Sequence, residues 1–224
     1  MRARRGLLLG GALVGLYAGA MIWVTVEATQ RADVPRRRGA EVADAVTEFI
    51  EAWERSRLGT FVAIGTYERH SAVTGSTLSS EDVVAQRPPR RIHRQLGGVD
   101  GRDDDRVIVC PAPPAGEEEA APCQLGPPSG LRYDASVARE VAGLRSVLGG
   151  PDPLYRVRQV EPGCFELVQR RIDPRAPFGV AASFCFDAAT GAPSARRIRH
   201  EGGIVEVLTV TSIRAHVTDS DLEP

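Results

Sequence analysis

Four cysteines, Cys110, Cys123, Cys164 and Cys185, are the side chains whose type and spacing best suit them to chemistry. Zinc is excluded for them: there is no Cys-x-x-Cys, and no histidine lies within ligand spacing of any cysteine. Disulfide formation remains, with three pairings formally open. The local one, Cys110–Cys123 and Cys164–Cys185, closes short loops and agrees with the surrounding pattern. Residues 164–171 and 178–186 are short runs rich in aromatic and branched side chains with turn residues after each, as in consecutive antiparallel strands. With Cys164 opposite Cys185, Phe165 falls opposite Phe184 and Leu167 opposite Ala182. Alternation then sets the sulfurs on one face and Phe165, Leu167, Phe184 and Phe186 on the other. A single register that does both predicts a stapled hairpin in an oxidising compartment.

Other reactive types are present without an arrangement. His70, His93, His200 and His216 are isolated in sequence and are expected at solvated strand ends. The adjacent carboxylates Asp103, Asp104 and Asp105 lack the spaced oxygens that calcium takes and read as a solvated tip. There is no G-x-S-x-G, phosphate loop, H-E-x-x-H, or G-x-G-x-x-G after a strand. No catalytic residue, metal site or cofactor is therefore predicted, and the chain reads as a non-enzyme. The 28 basic side chains are all arginine, and with 29 acidic ones they leave a net charge of -1, which excludes a globally basic nucleic-acid binder. Two clusters, Arg90, Arg91 and Arg94, then Arg196, Arg197 and Arg199, could face an anionic ligand. As alternating charges on sheet edges they would block edge-to-edge pairing, and that reading is favoured here.

The elements that must position these residues follow from periodicity. Residues 40–58 form a helix with Val42, Ala45, Val46, Phe49, Ile50 and Trp53 at three- and four-residue spacing, ended by Gly59. Residues 60–70 alternate as a strand. Residues 71–86 read as a loop with a short helical turn begun at Ser80. Residues 90–96 and 106–110 form a hairpin joined by a glycine-rich turn at 97–101 and the acidic tip. A loop insertion rich in proline and glycine covers 111–130, tied back by Cys110–Cys123. Asp134 caps a second helix that runs to Leu148. Strands over 154–160, 164–171, 178–186, 195–200 and 204–217 then follow with short turns, an antiparallel meander.

The N-terminus predicts a membrane segment. Residues 1–6 are basic, and from Leu7 to Val26 no charged residue occurs, about 30 Å of helix at ~1.5 Å per residue. This apolar run is longer than a secretory signal core, and Tyr17 and Trp23 suit an interface, so a retained anchor is favoured over a cleaved signal. Arginines flank both sides; the disulfides decide the orientation, N-terminus inside and the C-terminal domain extracytoplasmic. Gly11, Gly15 and Gly19 share a helix face at the spacing of close helix–helix contact, although glycine is common in such segments. Residues 27–39 form a juxtamembrane linker, 40–217 the extracytoplasmic domain and 218–224 a tail.

The stretch from Phe186 to Pro193, Phe-Asp-Ala-Ala-Thr-Gly-Ala-Pro, resembles the FD-x-x-T-G-x-P hairpin of the LolA/RseB-like superfamily of periplasmic lipoprotein carriers and sensors. The last long strand and short tail are also similar to theirs. The resemblance implies an α+β fold, a strongly curved antiparallel β-sheet or half-barrel with helices packed on one side, here preceded by the transmembrane helix. The concave face of that fold can hold acyl chains. Strand parity makes Phe165, Leu167, Val180, Phe184 and Phe186 the candidates for this face, with Phe49 and Trp53 from the first helix. The chain departs from the family in its anchor, its two cysteine pairs and its insertion, so shuttling of cargo is not expected. Two functions follow: binding or sensing of a lipid or lipoprotein at the membrane, or a structural or regulatory interaction with a partner membrane protein and no small-ligand cavity.

Overall fold

A computed structural model of the protein describes residues 39–110 and 122–224, with side chains in the first helix described from Asp44 onward. The expected anchor with Gly11, Gly15 and Gly19, the linker up to Arg38 and the insertion up to residue 121 lie outside the described residues. Among the described residues no helix is long and apolar enough to cross a membrane.

Helix α1 (Gly39–Leu58) leads into β1 (Phe61–Ser71), β2 (Thr77–Arg87), β3 (Arg90–Gln95), β4 (Gly98–Asp103), β5 (Arg106–Cys110) and the two-residue β6 (Gln124–Leu125). Helix α2 (Tyr133–Gly149) is followed by β7 (Tyr155–Glu161), β8 (Cys164–Gln169), β9 (Ala181–Phe186), β10 (Pro193–Arg199) and β11 (Ile204–Arg214). The eleven strands make one antiparallel sheet in the order β6-β5-β4-β3-β2-β1-β11-β10-β9-β8-β7. Each half is a meander of neighbours; the halves join where β1 pairs with β11. Helix α2 carries the chain from one end of the sheet to the other. Register shifts at Ile64/Gly65, Gln159/Glu161 and Pro193/Ala195 mark bulges, which bend strands locally and help an open sheet curve.

The hairpin register is the one the cysteines predict. Cys164 faces Cys185, Phe165 faces Phe184 and Leu167 faces Ala182. Both disulfides, Cys110–Cys123 and Cys164–Cys185, are formed. The apolar side of this hairpin is covered by the helices. Phe49 and Ile50 of α1, Val141, Leu144 and Leu148 of α2, and Tyr155, Phe165, Leu167 and Phe184 of the strands share one core. A second, smaller core lies on the opposite face of the other half-sheet, where Val62, Ala85, Ile92 and Ile108 meet Val217 and Leu222. The closing segment 218–224, marked by sequence only as a tail, therefore lies against the sheet. Arg94 donates to the Asp221 and Glu223 carbonyls, and Arg87 to the Asp219 carboxylate at 2.5 Å.

Several expectations need correction. Residues 77–86, read as loop and helical turn, belong to strand β2 (Thr77–Arg87). Its Ser79–Asp82 stretch has poor strand propensity, but β1 and β3 pair with it on both sides and satisfy its backbone, which outweighs propensity. The glycine-rich stretch read as a turn supplies strand β4. The turn itself is Leu96-Gly97, both at positive φ (54° and 76°), the conformation that suits a two-residue hairpin. Asp134 lies inside the first turn of α2, where its carboxylate accepts from the Ala135 amide at 2.9 Å, and does not occupy the cap position. The Tyr133 amide donates instead to the Asp104 carboxylate, 3.1 Å away across the chain, so one member of the acidic tip closes a helix end. Strands β3 and β10 are flanked on both sides, so their arginines are not edge guards.

Candidate functional site

The helix-covered face of the sheet is the region that the sequence marks for a ligand, and it has two unlike halves. On β7–β10 it is aromatic. Phe49 of α1 stands at the centre, its ring centroid 5.5 Å from Phe165, 5.6 Å from Phe184, 5.9 Å from Trp53 and 6.2 Å from both Phe178 and Phe186. These are the separations at which tilted and edge-to-face aromatic pairs add to simple burial. Of the predicted face residues, Phe49, Phe165, Leu167 and Phe184 are at most 3% exposed, and Trp53 and Phe186 pack against them half-buried.

Val180 does not join this cluster; Phe178 does. Strict alternation from Phe184 back through Ala182 selects Val180, but β9 begins only at Ala181. Just before it Gly179 sits at φ +59°, where an added Cβ would lie 2.4 Å from the Arg199 carbonyl oxygen. The turn at this glycine breaks the period-two pattern and swings Phe178 inward. Tyr155 was also missed. Its hydroxyl donates to the Gly179 carbonyl at 2.9 Å and accepts from the Phe178 amide at 2.9 Å, which pins the loop that delivers Phe178.

On β2–β4 the same face is polar. Gln86, fully buried, donates from Nε2 to the carbonyls of Ser56, Arg57 and Gly59 at 2.8–2.9 Å. It thereby meets the carbonyl groups that a helix end leaves open. Tyr133 of α2 donates to the same Arg57 carbonyl at 2.7 Å. Above them Glu140 of α2 accepts from Arg57 at 2.9 Å and from the Trp53 indole at 3.1 Å, while the Arg57 guanidinium lies 4.9 Å from the Trp53 ring. One carboxylate thus fixes both the cation and the ring it stacks on, locking α1 to α2.

Beside this seam His93 bridges three strands, its Nε2 2.9 Å from Asp82 and its Nδ1 3.4 Å from Asp100. Gln95 donates to the same Asp82 oxygen at 2.6 Å. Asp82 is almost completely buried. Burial alone would push the His93 pKa down, but the hydrogen bonds that the ring donates to Asp100 and Asp82 outweigh it and the net shift is upward. The His93 hydrogen bond holds Asp100 below its usual range. His93 was expected at a solvated strand end; its partners lie on other strands, which isolated spacing in sequence cannot reveal. Among the described residues no group of three or more His, Cys, Asp or Glu side chains could hold a metal ion. Two carboxylates flank the imidazole, an arrangement suited to ion pairing.

No protein-family model matches the chain, and no curated protein matches it. Solved structures do. A LolA superfamily protein from Nitrosomonas europaea aligns over 80% of this chain and 97% of its own, at 9% identity and TM-score 0.35. MucB of Pseudomonas aeruginosa, in its complex with MucA, aligns over 82% of this chain at 18% identity and TM-score 0.41; the match spans 61% of that chain. A putative outer membrane lipoprotein-sorting protein domain from Vibrio parahaemolyticus aligns over 79% of this chain and 95% of its own, at 11% identity and TM-score 0.22. These likenesses extend over about four fifths of this chain.

Proposed function

We propose that the chain is a membrane-anchored, extracytoplasmic and non-catalytic binding domain that acts by contact with a partner membrane protein. The observation that carries this reading is the state of the apolar face. Phe165, Leu167 and Phe184 are closed under α1, whose Phe49 fills the space above them, and α2, and a ligand would have to displace a helix to reach them. Recognition then falls to the outer surface. Two disulfides in a chain with no free cysteine favour an oxidising compartment, and the uncharged stretch from Leu7 to Val26 favours tethering.

A second reading, a lipid or lipoprotein held on the apolar face, is favoured by the six rings gathered beneath and beside α1, Phe49, Trp53, Phe165, Phe178, Phe184 and Phe186. Swinging α1 aside would bare Phe165, Phe178, Phe184 and Phe186 on the sheet side and Phe49 and Trp53 on the helix. Native mass spectrometry of the chain released from membranes separates the two. The interaction reading expects no stoichiometric lipid and no uptake of a lipophilic dye; a retained acyl ligand would replace it with the lipid reading. Carbonate extraction tests the anchor, since a chain held only by surface contact leaves the membrane.

A further inference from the structure

We infer that the outer face of β7–β10, opposite the helices, is a docking surface for anionic lipid headgroups. The register builds it. Arg158 pairs with Glu166, Glu166 with Ser183 and Ser183 with Arg197; one step along, Arg156 pairs with Val168, Val168 with Ala181 and Ala181 with Arg199. Each line across the four strands begins and ends in arginine; between them stand Glu166, which pairs with Arg158, and Ser183 on one line, and Val168 and Ala181 on the other. At ~4.8 Å per strand the two arginine pairs stand about 14 Å apart. Arg170, on the same side as Val168, is a fifth, and it lines a cleft of about 530 Å³ with Arg156, Arg158 and Glu166.

All five arginines are exposed, and of them only Arg158 has an ion-pair partner among the described residues, Glu166 at 2.6 Å. In a chain of net charge -1 this is a local excess of one sign, not an alternating solvated face. Edge protection accounts for Arg156 and Arg158 on the terminal strand, but β10 lies three strands further in. Uncovered aliphatic side chains stand at the same end of the sheet: Val160 is 44%, Val168 51% and Ile172 83% exposed. An acidic peptide needs the arginines and not Ile172. A bilayer interface takes both, because guanidinium heads meet phosphates while their stems and the aliphatic tips enter the headgroup layer. The inference rests on the anchored reading only for the nearness of a bilayer; the chemistry of the face is independent of it.

The test uses the full chain with lipid nanodiscs of neutral phosphatidylcholine, or with about one third phosphatidylglycerol. Trypsin cleavage after Arg170, Arg171 and Arg175, in the loop beside this face, is followed by mass spectrometry. Anionic discs are expected to slow these cuts, with about fivefold of the effect lost per arginine removed. The combination Arg156→Gln, Arg158→Gln, Arg197→Gln and Arg199→Gln should abolish it, and the pair Arg197→Gln and Arg199→Gln should weaken it if the fourfold variant fails to fold. Equal cleavage with both lipids, or protection that survives in a folded variant, overturns the inference. So does protection by a soluble acidic peptide without any effect of lipid charge. Retention on neutral discs in high salt reports the anchor separately, so a chain that stays bound there without charge-dependent protection refutes the docking face and leaves the anchor standing.

Discussion

At the scale of single residues, the polar half of the helix-covered face depends on groups whose partners lie far away in sequence. Gln86→Leu removes the donor for three carbonyls at the end of α1. Leaving buried acceptors unpaired costs ~1–3 kcal/mol, which urea unfolding would read as a lower midpoint with unchanged slope. His93 gives a pH dependence with a definite sign. Its folded pKa is raised, so its contribution is complete below the unfolded value of about 6.5 and fades as pH rises through the folded value. Asp100, held low by the same bond, withdraws its share only as pH falls through its own folded value, below the carboxylate range. The stability of the native chain over a His93→Gln variant should therefore be larger at mildly acid pH than at pH 9. A difference that grows with pH in urea melts would contradict this assignment.

At the scale of elements, α2 shows how a helix boundary can be set from elsewhere. Arg132 occupies the cap position without a capping side chain, and Asp104 on the β4–β5 turn serves the Tyr133 amide. Asp104→Ala is expected to cost about 1 kcal/mol and Asp134→Ala only a few tenths. Asp104→Asn should recover most of the loss, because it keeps an acceptor and tolerates the positive φ of 49° at this turn. The β8–β9 hairpin has its own fastening. Replacing Cys164 and Cys185 by serine frees two positions 21 residues apart in sequence and should lower stability by ~2–4 kcal/mol, seen as a lower Tm than that of the chain with its disulfides intact.

At the scale of the whole molecule, the two halves of the sheet are covered on opposite faces. The helices close β7–β10, and the end of the chain closes β1–β5, where Leu222 is 1% exposed against Ile92 and Val62. Leu222→Ala should cost ~2–5 kcal/mol by loss of burial and an unfilled space, although the residue lies two positions from the C-terminus. A cost near zero in thermal melts would mean that the closing segment is not held in place.

The sequence by itself determined the strands of the second half, the α+β class, the sulfur pairing and the two-sided hairpin. These rest on neighbours, turn chemistry and a period of two, all written within about twenty residues of each other. It determined less of the first half, where β2 and β4 are polar or glycine-rich and hold their conformation by pairing on both sides. Only the tertiary structure decided that β1 closes on β11, that Asp104 caps α2, that His93 finds two carboxylates, and that Arg156 and Arg158 share a face with Arg197 and Arg199. It also decided that Phe165 and Phe184 meet Phe49 of α1. The physical reason is common to all of these. Alternation states which side chains share a face, but what covers that face depends on where a distant segment returns, and that is fixed by the packing of the whole chain.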